Sequence, residues 1–450
     1  MPPRILSQEK QEALSVIIDE LLALGVIRPS KATAWSQVML VKKSTGGWRL
    51  TIDYRQLNHL VENQGWLIPN MNQMLNRIGS KKPTLFCSAD LTSGYYQMPL
   101  ADECHPITAF ITFRGIYEWT RVPMGLLPSA NYFQRTMAEE VLHGLVYSDC
   151  EVYIDDLIIT ADKKLEYLTS IETVFQRLRE KNITLNPKKI KMGLGKIQFV
   201  GHEIDHEGLN MSKERIENTV DIKKPQNLKE LYSFVGVTNY FRDHIKDHSI
   251  TARPLHLMIA LAVKLRSKLI EWTLEADASF IKLKEQINEC PKLFYIDDKM
   301  AVFLCTDASD YAIGAYLYQL SAENKELPIR FMSKTLNPIQ QRWSTIEKEA
   351  FAIYHSLTKM EDLLGGVKFT IKTDHKNLLF LNQAGSNKVL NWKLAIQHFD
   401  FHIMHIPGKD NVIADAFSRL VNRPPVVTCN LIVTPSYTDA QYEIMNEHHA

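Results

Sequence analysis

Cysteine is scarce in this sequence, a long apolar run is missing, and net charge is almost absent. The six cysteines among 450 residues form no CxxC pair and no zinc-ligand spacing, and a chain of this length does not depend on disulfides. The longest apolar run, Leu257–Val263, is too short to cross a bilayer, and the N-terminal "MPPRILSQEKQEAL" lacks the apolar core of a signal peptide. These absences exclude a disulfide scaffold and a zinc finger, and we expect a reducing compartment and no membrane partner.

Charge is informative only locally. The formal net charge is +1, so the balance of the whole chain does not indicate a nucleic-acid binder. One short segment is basic, and it is either a phosphate-facing surface or the solvated face of a helix, two interpretations that charge alone does not separate. Its basic residues are Arg177, Arg179, Lys181, Lys188, Lys189, Lys191 and Lys196.

Hydrophobic periodicity divides the chain into three parts. Length predicts roughly two to four folded units, and the composition is that of a globular protein. Residues 1–212 mix helices with strands, and residues 213–296 are mostly helical, as in "LKELYSFVGVTNYFRDHI". Residues 297–420 are predicted to hold strands and helices in the order of a separate α/β unit. We therefore expect a multidomain chain of the α+β or mixed α/β class, followed by a tail over residues 421–450.

The stretch "EVYIDDLIIT" places two aspartates at the centre of a strand-forming run. It predicts a tight hairpin with Asp155 and Asp156 at its tip, although such turns favour Asn-Gly or Asp-Gly and like charges repel. A chain that keeps this arrangement is expected to use the charges for a divalent metal. Asp90 ends the predicted strand "TLFCSAD", and strand ends and hairpin tips meet at one sheet edge. Three carboxylates there form a hard-oxygen site suited to Mg²⁺, whereas the alternative is three surface aspartates at turns.

Several segments carry a resemblance to a known family. They are "GVIRPSKATAWSQVMLVKK", "GWRLTIDYRQLN", "FCSADLTSGYYQMPL", "VPMGLLPSANYFQRTM", "YIDDL" and "FVGHEI". In this order they resemble the reverse transcriptases of gypsy-type (Metaviridae) long-terminal-repeat retrotransposons, over nearly all of residues 2–420. The resemblance implies a right-hand polymerase, with fingers and palm in residues 1–212 and the thumb and a linker in residues 213–296.

The resemblance also implies roles at the polymerase site. Asp90 and Asp155 would hold two Mg²⁺ ions, for which Mn²⁺ is a substitute, and Asp156 would complete the cluster. Tyr95 would lie under the incoming sugar, although without the family it reads as a packed core tyrosine. Met124 stands where the family commonly has an aromatic residue, which leaves nucleotide affinity open. The implied nucleotide-binding residues are Lys43 (with Lys42 as its alternative), Arg49, Tyr95 and Met124.

Contacts to nucleic acid are implied in two further places. Asp53 and Arg55 belong to the finger strand expected near the template. Gly201 and His202, in "FVGHEI", are expected to grip the primer end. The helix near Phe234–Arg242 is expected to form the thumb and to track the duplex.

A second set of carboxylates occurs in the back half. Four acidic positions in one α/β unit suit two metals that activate water against a phosphodiester. The segments "LCTDASDYAIGAYL", "TIEKEAFAIYHSL", "IKTDHKNL" and "GKDNVIADAFSRL" resemble the ribonuclease H domain of the same retroelements, which implies that residues 297–420 form that domain. The implied catalytic and metal-binding carboxylates are Asp307, Glu349 (with Glu347 as its rival), Asp374 and Asp415.

The resemblance also implies a catalytic role or a substrate contact for residues close in sequence to these carboxylates. His405 falls where many retroviral enzymes carry a mobile catalytic histidine, and the alternative is a strand histidine that faces solvent. The segment "TDHKNL" resembles a hybrid-contacting segment, which makes His375, Lys376 and Asn377 expected contacts to an RNA/DNA hybrid.

These observations predict a bifunctional enzyme that copies RNA and DNA into DNA and removes the RNA strand of a hybrid. Its expected partners are a primer-template, an RNA/DNA hybrid, a DNA duplex, deoxynucleoside triphosphates and a second copy in a homodimer. The alternative is a non-catalytic nucleic-acid-binding or scaffold protomer. The chain has no Asp-Thr-Gly or Asp-Ser-Gly protease motif and no cysteine–histidine knuckle, so we expect one segment of a polyprotein, with residues 421–450 leading toward an integrase. The expected location is the cytoplasm, within virus-like particles, with a nuclear stage.

Overall fold

The computed structural model describes residues 2–43, 46–62, 65–66, 68–374 and 387–406. Within these ranges the chain is a mixed α/β, multidomain protein built around four sheets. None of the helices in the described part is long and apolar enough to cross a bilayer.

The N-terminal part folds into a five-stranded sheet covered by one long helix. In chain order the first elements are α1 (Gln8–Ala23), β1 (Ile27–Pro29), β2 (Ser36–Lys42), β3 (Trp48–Asp53), α2 (Arg55–Asn58), α3 (Met71–Ser80), β4 (Leu85–Asp90), α4 (Gly94–Gln97), β5 (Phe110–Thr112) and β6 (Gly115–Trp119). The sheet order is β1-β6-β5-β2-β3. Leu14 and Ile18 lie one turn apart on α1, so both pack against the inward side chains of β2 and β3, such as Val38. This packing fixes the hairpin of β2 and β3.

The second sheet carries the aspartate hairpin. It adds α5 (Ser129–Arg135), a π-helical segment (Thr136–Val141), β7 (Cys150–Tyr153), β8 (Asp156–Ala161), α6 (Lys164–Glu180) and β9 (Lys191–Leu194), and its order is β7-β8-β4-β9. Leu157 and Ile159 face the core formed with α5 and α6, whereas Ile158 faces the core formed with α3. Because β8 is covered on both faces, its apolar run is continuous and its hairpin end is held rigidly.

The third sheet contains three strands that precede a helical domain and one strand that follows it. The elements are β10 (Lys196–Phe199), β11 (His202–Asp205), β12 (Gly208–Met211), α7 (Lys213–Val220), α8 (Leu228–Asn239), α9 (His248–Lys264), α10 (Leu274–Asn288) and β13 (Leu293–Phe294), with the sheet order β10-β11-β12-β13. Gly208 begins β12 and pairs with Phe294 of β13. The segment expected to form the thumb and a linker therefore also contains β13, a strand that joins a sheet of the front half.

The last domain is a mixed sheet with helices against it. Its elements are β14 (Val302–Ala308), β15 (Ala312–Leu320), β16 (Glu326–Thr335), α11 (Pro338–Gln341), α12 (Thr345–Lys359), α13 (Glu361–Leu364), β17 (Lys368–Thr373), α14 (Asn387–Ile396) and β18 (Asp400–His405). The order is β16-β15-β14-β17-β18, in which β14, β17 and β18 run parallel. The sequence predicts one helix from Pro338 to Met360, but Ser344 starts a new helix because its side chain and that of Glu347 form a capping box.

Polar contacts dock this last domain against the rest of the chain. Arg330 on β16 lies 3.1 Å from Asp362 Oδ1 and 3.8 Å from Asp243, which follows α8. Asn76 of α3 donates to Asp362 at 3.2 Å, so the same carboxylate also contacts a helix of the front half. Arg330 is largely buried, and a buried, paired guanidinium favours one arrangement of the domains.

Candidate active sites

The turn of the aspartate hairpin lies one residue earlier in the chain than predicted. β7 and β8 pair with Tyr153 opposite Asp156, so the two-residue turn is Ile154-Asp155 and Asp156 is the first residue of β8. This corrects the expectation that Asp155 and Asp156 both form the tip. Asp90, the last residue of β4, lies directly opposite Asp156 in the antiparallel ladder. The register therefore brings the three carboxylates to one edge of the sheet.

The turn is strained at Ile154. Its φ is +52°, a conformation that a β-branched side chain rarely adopts and that costs about 1–3 kcal/mol. A buried glutamine supports this turn: Gln134 of α5 accepts a hydrogen bond from Ile154 N–H at 2.7 Å and donates to Val152 C=O at 3.0 Å. Sequence reasoning did not select Gln134 as a site residue, and no local pattern in "ANYFQRTM" marks it as one.

The electrostatics of this edge are those of crowded carboxylates. Burial raises the pKa of Asp155 to about 6, and the charges of Asp90 and Asp156 add to the rise. The pKa of Asp156 is raised by burial and by Asp90. Lys189 Nζ lies 2.8 Å from Asp90 Oδ2 and opposes both shifts. Lys189 is therefore a member of the site, and neither interpretation of the basic segment had given it this role.

Two features show that the carboxylates fit a bound cation. Asp155 Oδ1 is buried, and within the described ranges no hydrogen-bond donor reaches it. Gly94 of α4 leaves the space next to this oxygen, since a Cβ there would lie 2.5 Å from it. A buried carboxylate oxygen without a donor is unfavourable unless a cation takes the place of the donor. The arrangement thus suits a hard divalent ion held by Asp90, Asp155 and Asp156.

The predicted nucleotide side of the site lies next to these aspartates. Tyr95 stacks on Phe133 with ring centroids 5.1 Å apart, and burial followed by the charge of Asp155 raises its pKa to about 12. Met124 is exposed in the loop before α5. Tyr95 is thus both a packed tyrosine and a neighbour of the aspartate cluster.

Two exposed cations project from the hairpin of β2 and β3. Arg49 pairs with Val41 in the ladder, and the ladder continues with a hydrogen bond from Lys43 N–H to Gly47 C=O. Side chains two residues apart on a strand share a face, so Lys43 lies on the face of Arg49, whereas Lys42 lies on the opposite one. Between the two lysine candidates, the register favours Lys43.

Asp53, which is predicted to lie near the template, is paired with two arginines. Asp53 accepts a fork of two 2.8 Å hydrogen bonds from Arg55 and one of 3.0 Å from Arg4, and these hold its pKa well below the usual range. Asp53 therefore orients exposed arginines and is not itself a plausible phosphate contact.

His202 is buried, and burial lowers its pKa to about 3. Its ring stacks on Tyr240, whose hydroxyl donates to Val200 C=O at 2.8 Å. The His202 ring is thus enclosed by the protein, and the expectation that the segment around Gly201 and His202 grips the primer end stays a prediction. The half-buried turn of Val200 and Gly201, both at positive φ, is the accessible part of this segment.

The second carboxylate cluster lies in the last domain. Asp307 near the end of β14, Glu349 of α12 and Asp374 after β17 each offer an oxygen within 4.8 Å of the others. Burial raises the pKa of Glu349 well above its usual value, and the charges of Asp307 and Asp374 add to this. Glu349 Oε1 accepts from Ala308 N–H at 3.2 Å, while Oε2 is buried and receives no hydrogen bond from the described residues. This donor set, too, fits a divalent cation.

The rival carboxylate has a structural role. Glu347 accepts from Ser344 N–H at 3.0 Å and pairs with Lys388 at 3.2 Å. It points to the helix start and not to the cluster. His405 ends β18 opposite Thr373, and its Nε2 lies 3.0 Å from the carbonyl oxygen of Asp374. It is half-buried beside the cluster, so the alternative of a solvent-facing strand histidine does not describe it.

Several predicted residues lie outside the described ranges. They are Asp415, His375, Lys376, Asn377 and the tail over residues 421–450.

Comparison with known families finds matches in two regions of the chain. Residues 41–204 match the family "Reverse transcriptase (RNA-dependent DNA polymerase)", and residues 297–399 match the "RNase H-like domain found in reverse transcriptase". Residues 41–204 thus belong to the reverse transcriptases, and residues 297–399 belong to the ribonuclease H-like domains found with them. The two carboxylate clusters of this reverse transcriptase lie one in each matched region, and the predicted family is confirmed.

Relatives of the reverse transcriptase are polyproteins of transposons. It is 33% identical over 418 residues to the retrovirus-related Pol polyprotein from transposon opus of Drosophila melanogaster, covering 90% of this chain and 41% of that protein. It is 30% identical over 419 residues to the transposon Tf2-3 polyprotein of Schizosaccharomyces pombe, covering 92% of this chain and 31% of that protein. The chain therefore spans less than half the length of these relatives.

Solved structures share its fold. The foamy viral protease-reverse transcriptase in complex with double-stranded DNA has a TM-score of 0.79 at 23% identity, over 90% of this chain and 71% of that chain. The same viral protein in complex with an RNA/DNA hybrid has a TM-score of 0.74 at 22% identity, over 97% of this chain and 57% of that chain. At this identity the similarity concerns the fold, and it confirms the predicted mixed α/β architecture.

Proposed function

We propose that this chain is a bifunctional retrotransposon enzyme that synthesises DNA on RNA and DNA templates and hydrolyses the RNA strand of RNA/DNA hybrids. The observation that carries the proposal is the pair of separate carboxylate clusters, one at the β4–β8 edge and one on β14, α12 and β17. Each cluster contains a buried carboxylate oxygen that no described donor satisfies, and each lies within a matched family region. A non-catalytic scaffold has no need of two such unfavourable clusters.

At the polymerase site, Asp90, Asp155 and Asp156 would hold two Mg²⁺ ions, with Mn²⁺ as a substitute. Bound there, the ions would supply activation of a primer hydroxyl and neutralisation of the charge on a transferring phosphoryl group. Arg49 and Lys43 donate to the triphosphate of a deoxynucleotide from one face of the finger hairpin. Tyr95, fixed on Phe133, presents its ring next to the cluster and excludes a sugar that carries a 2′-hydroxyl.

At the nuclease site, Asp307, Glu349 and Asp374 would hold the metal pair, and Asp415 would complete the set. His405 Nε2 lies 3.0 Å from the carbonyl oxygen of Asp374, a place from which its imidazole would assist proton transfer or product release. A family fold seen with double-stranded DNA and with an RNA/DNA hybrid in the viral protein supports the same two duplexes as partners here. In the segment outside the described ranges, His375, Lys376 and Asn377 would contact the hybrid.

The assembly and location belong to the same proposal. As a segment of a transposon polyprotein, the chain would act in the cytoplasm inside virus-like particles, with a nuclear stage and with a second copy as partner. The similarity to transposon polyproteins supports this setting. Light scattering with and without a hybrid duplex measures the copy number.

Primer extension on an RNA template tests the function directly. We expect the purified chain to extend a DNA primer and to shorten the RNA strand when Mg²⁺ is present, and to do neither after chelation. RNA/DNA hybrid bound tightly with no extension and no cleavage in Mg²⁺ or Mn²⁺ would instead establish the non-catalytic alternative.

A further inference from the structure

We propose that Gln134 is a positioning residue that locks the Ile154-Asp155 turn in the conformation needed to present the Asp155 carboxylate to a metal ion. This inference rests on the proposed polymerase function and names a residue to which that function assigns no role. Gln134 touches neither Asp90 nor Asp156 in any described hydrogen bond, so it acts through the backbone of the hairpin.

Gln134 holds the turn through two hydrogen bonds. One amide group spans the turn, because its oxygen accepts from Ile154 N–H at 2.7 Å and its nitrogen donates to Val152 C=O at 3.0 Å. Gln134 is 1% exposed, so water does not compete for either bond. A side chain that uses both ends of its amide on adjacent backbone groups fixes the turn against rotation.

These two hydrogen bonds oppose backbone strain at Ile154. Ile154 holds φ at +52°, where its branched side chain clashes with the backbone. Without the bonds from Gln134, the turn is expected to relax toward negative φ. Asp155 is the next residue of the turn, so that relaxation re-aims its carboxylate.

The Asp155 carboxylate lies in a confined space beside Gly94. A Cβ on Gly94 would lie 2.5 Å from Asp155 Oδ1 and 3.0 Å from Phe133 Cζ. The carboxylate therefore occupies one narrow position, and a small rotation of the turn is enough to misplace it. Phe133 and Gln134 are consecutive on α5, so one helical turn supports both the ring of Tyr95 and the hairpin. A π-helical segment follows at once, a feature that is frequent at functional sites.

The test is a double-mutant cycle in the full chain. Gln134→Met keeps the size of the side chain and removes both hydrogen bonds. Ile154→Gly removes the strain, since glycine adopts positive φ freely. If the role is positional, Ile154→Gly rescues Gln134→Met, whereas a packing role gives no rescue. The matched control is Gln176→Met on α6, which removes a single exposed hydrogen bond to Glu180.

The first readout needs no metal and no activity. Hydrogen–deuterium exchange of the segment 150–157, in buffer without divalent ions, reports on the hairpin directly. We expect Gln134→Met to speed exchange by about tenfold, as for loss of one buried hydrogen bond, and Gln176→Met to leave it unchanged. Unchanged exchange in Gln134→Met overturns the proposal.

The second readout is the metal requirement of extension. Gln134→Met should lower kcat and raise the Mg²⁺ concentration for half-maximal extension, with KM for the nucleotide little altered, and Ile154→Gly should restore both in part. Hybrid cleavage by the same preparation should stay at the wild-type rate. Normal extension, or loss of extension that Ile154→Gly does not relieve, contradicts the positional role.

A second variant covers failure of Gln134→Met to fold, which loss of its nuclease activity would reveal. Gly94→Ala leaves the Gln134 side chain in place and crowds Asp155 Oδ1 most closely, at 2.5 Å, with a tight contact of 3.0 Å to the ring of Phe133. It should raise the Mg²⁺ requirement without faster exchange of the hairpin, and a normal requirement overturns the proposal. Failure of the wild-type chain to extend primers refutes the proposed function instead, and the exchange experiment then still decides whether Gln134 holds the turn.

Discussion

Replacing Asp155 by asparagine should stabilise the protein while it abolishes DNA synthesis. The pKa of Asp155 is about 6 in place of 3.8, which corresponds to about 3 kcal/mol of unfavourable free energy for the ionised carboxylate. Because the side chain is partly exposed and solvent screens it, we expect about half of this, or 1–2 kcal/mol, to be recovered at pH 7.5. For a domain of this size that is a rise in Tm of about 2–8 °C.

The sign of the pH dependence follows from the raised pKa. The folded state binds the proton more tightly than the unfolded state, so the stability of the wild-type protein falls as pH rises from about 4 to about 6. Asparagine does not titrate. The difference in Tm between variant and wild type at pH 5.0 should therefore be roughly half of the difference at pH 7.5.

The assay is thermal unfolding followed by tryptophan fluorescence, in chelator and in excess Mg²⁺. Mg²⁺ at pH 7.5 should raise the Tm of the wild type and close most of the gap, because a bound cation offsets the repulsion among the carboxylates. Asp162→Asn, at an exposed position just after β8, is the matched control and should behave as wild type. A variant that is less stable than wild type at pH 7.5 in chelator, or a gap of equal size at pH 5.0, would refute this reasoning.

Three further predictions follow from other contacts. Lys189→Met removes the charge that lowers the pKa of Asp155, so the acid limb of the pH profile for extension should move to higher pH, and an unchanged profile would be inconsistent with the ion pair. Glu349→Gln should reduce hybrid cleavage by about two orders of magnitude, whereas Glu347→Gln should keep cleavage and leave the melting curve nearly unchanged, because glutamine still accepts from the Ser344 N–H in the capping box. Arg330→Met should speed proteolysis between residues 288 and 302 without loss of either activity, and unchanged proteolysis would show that the guanidinium does not hold the domains together.

Local patterns determine much of this architecture. The strand that ends at Asp90, the continuous apolar run after the aspartates and the helical spacing of apolar residues around Glu349 each give a clear local signal. A capping signature, Ser344 followed three residues later by Glu347, was also available in the sequence and identifies Glu347 as a helix cap. It would have separated the two glutamates without any family knowledge.

Other features depend on distant partners and have no local signal. Ile154 takes the strained turn position because Gln134, on a separate helix, satisfies its backbone, so turn propensity alone misplaces the hairpin by one residue. The two-residue strand at Leu293 exists only because β12 offers an edge to it. His202 lies in a segment predicted to grip the primer end, and its polar ring is buried because Tyr240, beyond α8, packs on it.

The central claim is that the two carboxylate clusters perform separate chemistry in one chain. It is tested most directly by measuring primer extension and RNA cleavage on the same hybrid for two variants, Asp155→Asn with Asp156→Asn, and Asp374→Asn. We predict that the first variant cleaves RNA without extending the primer and that the second extends the primer without cleaving RNA. Extension by the first variant, or cleavage at the wild-type rate by the second, would contradict the account.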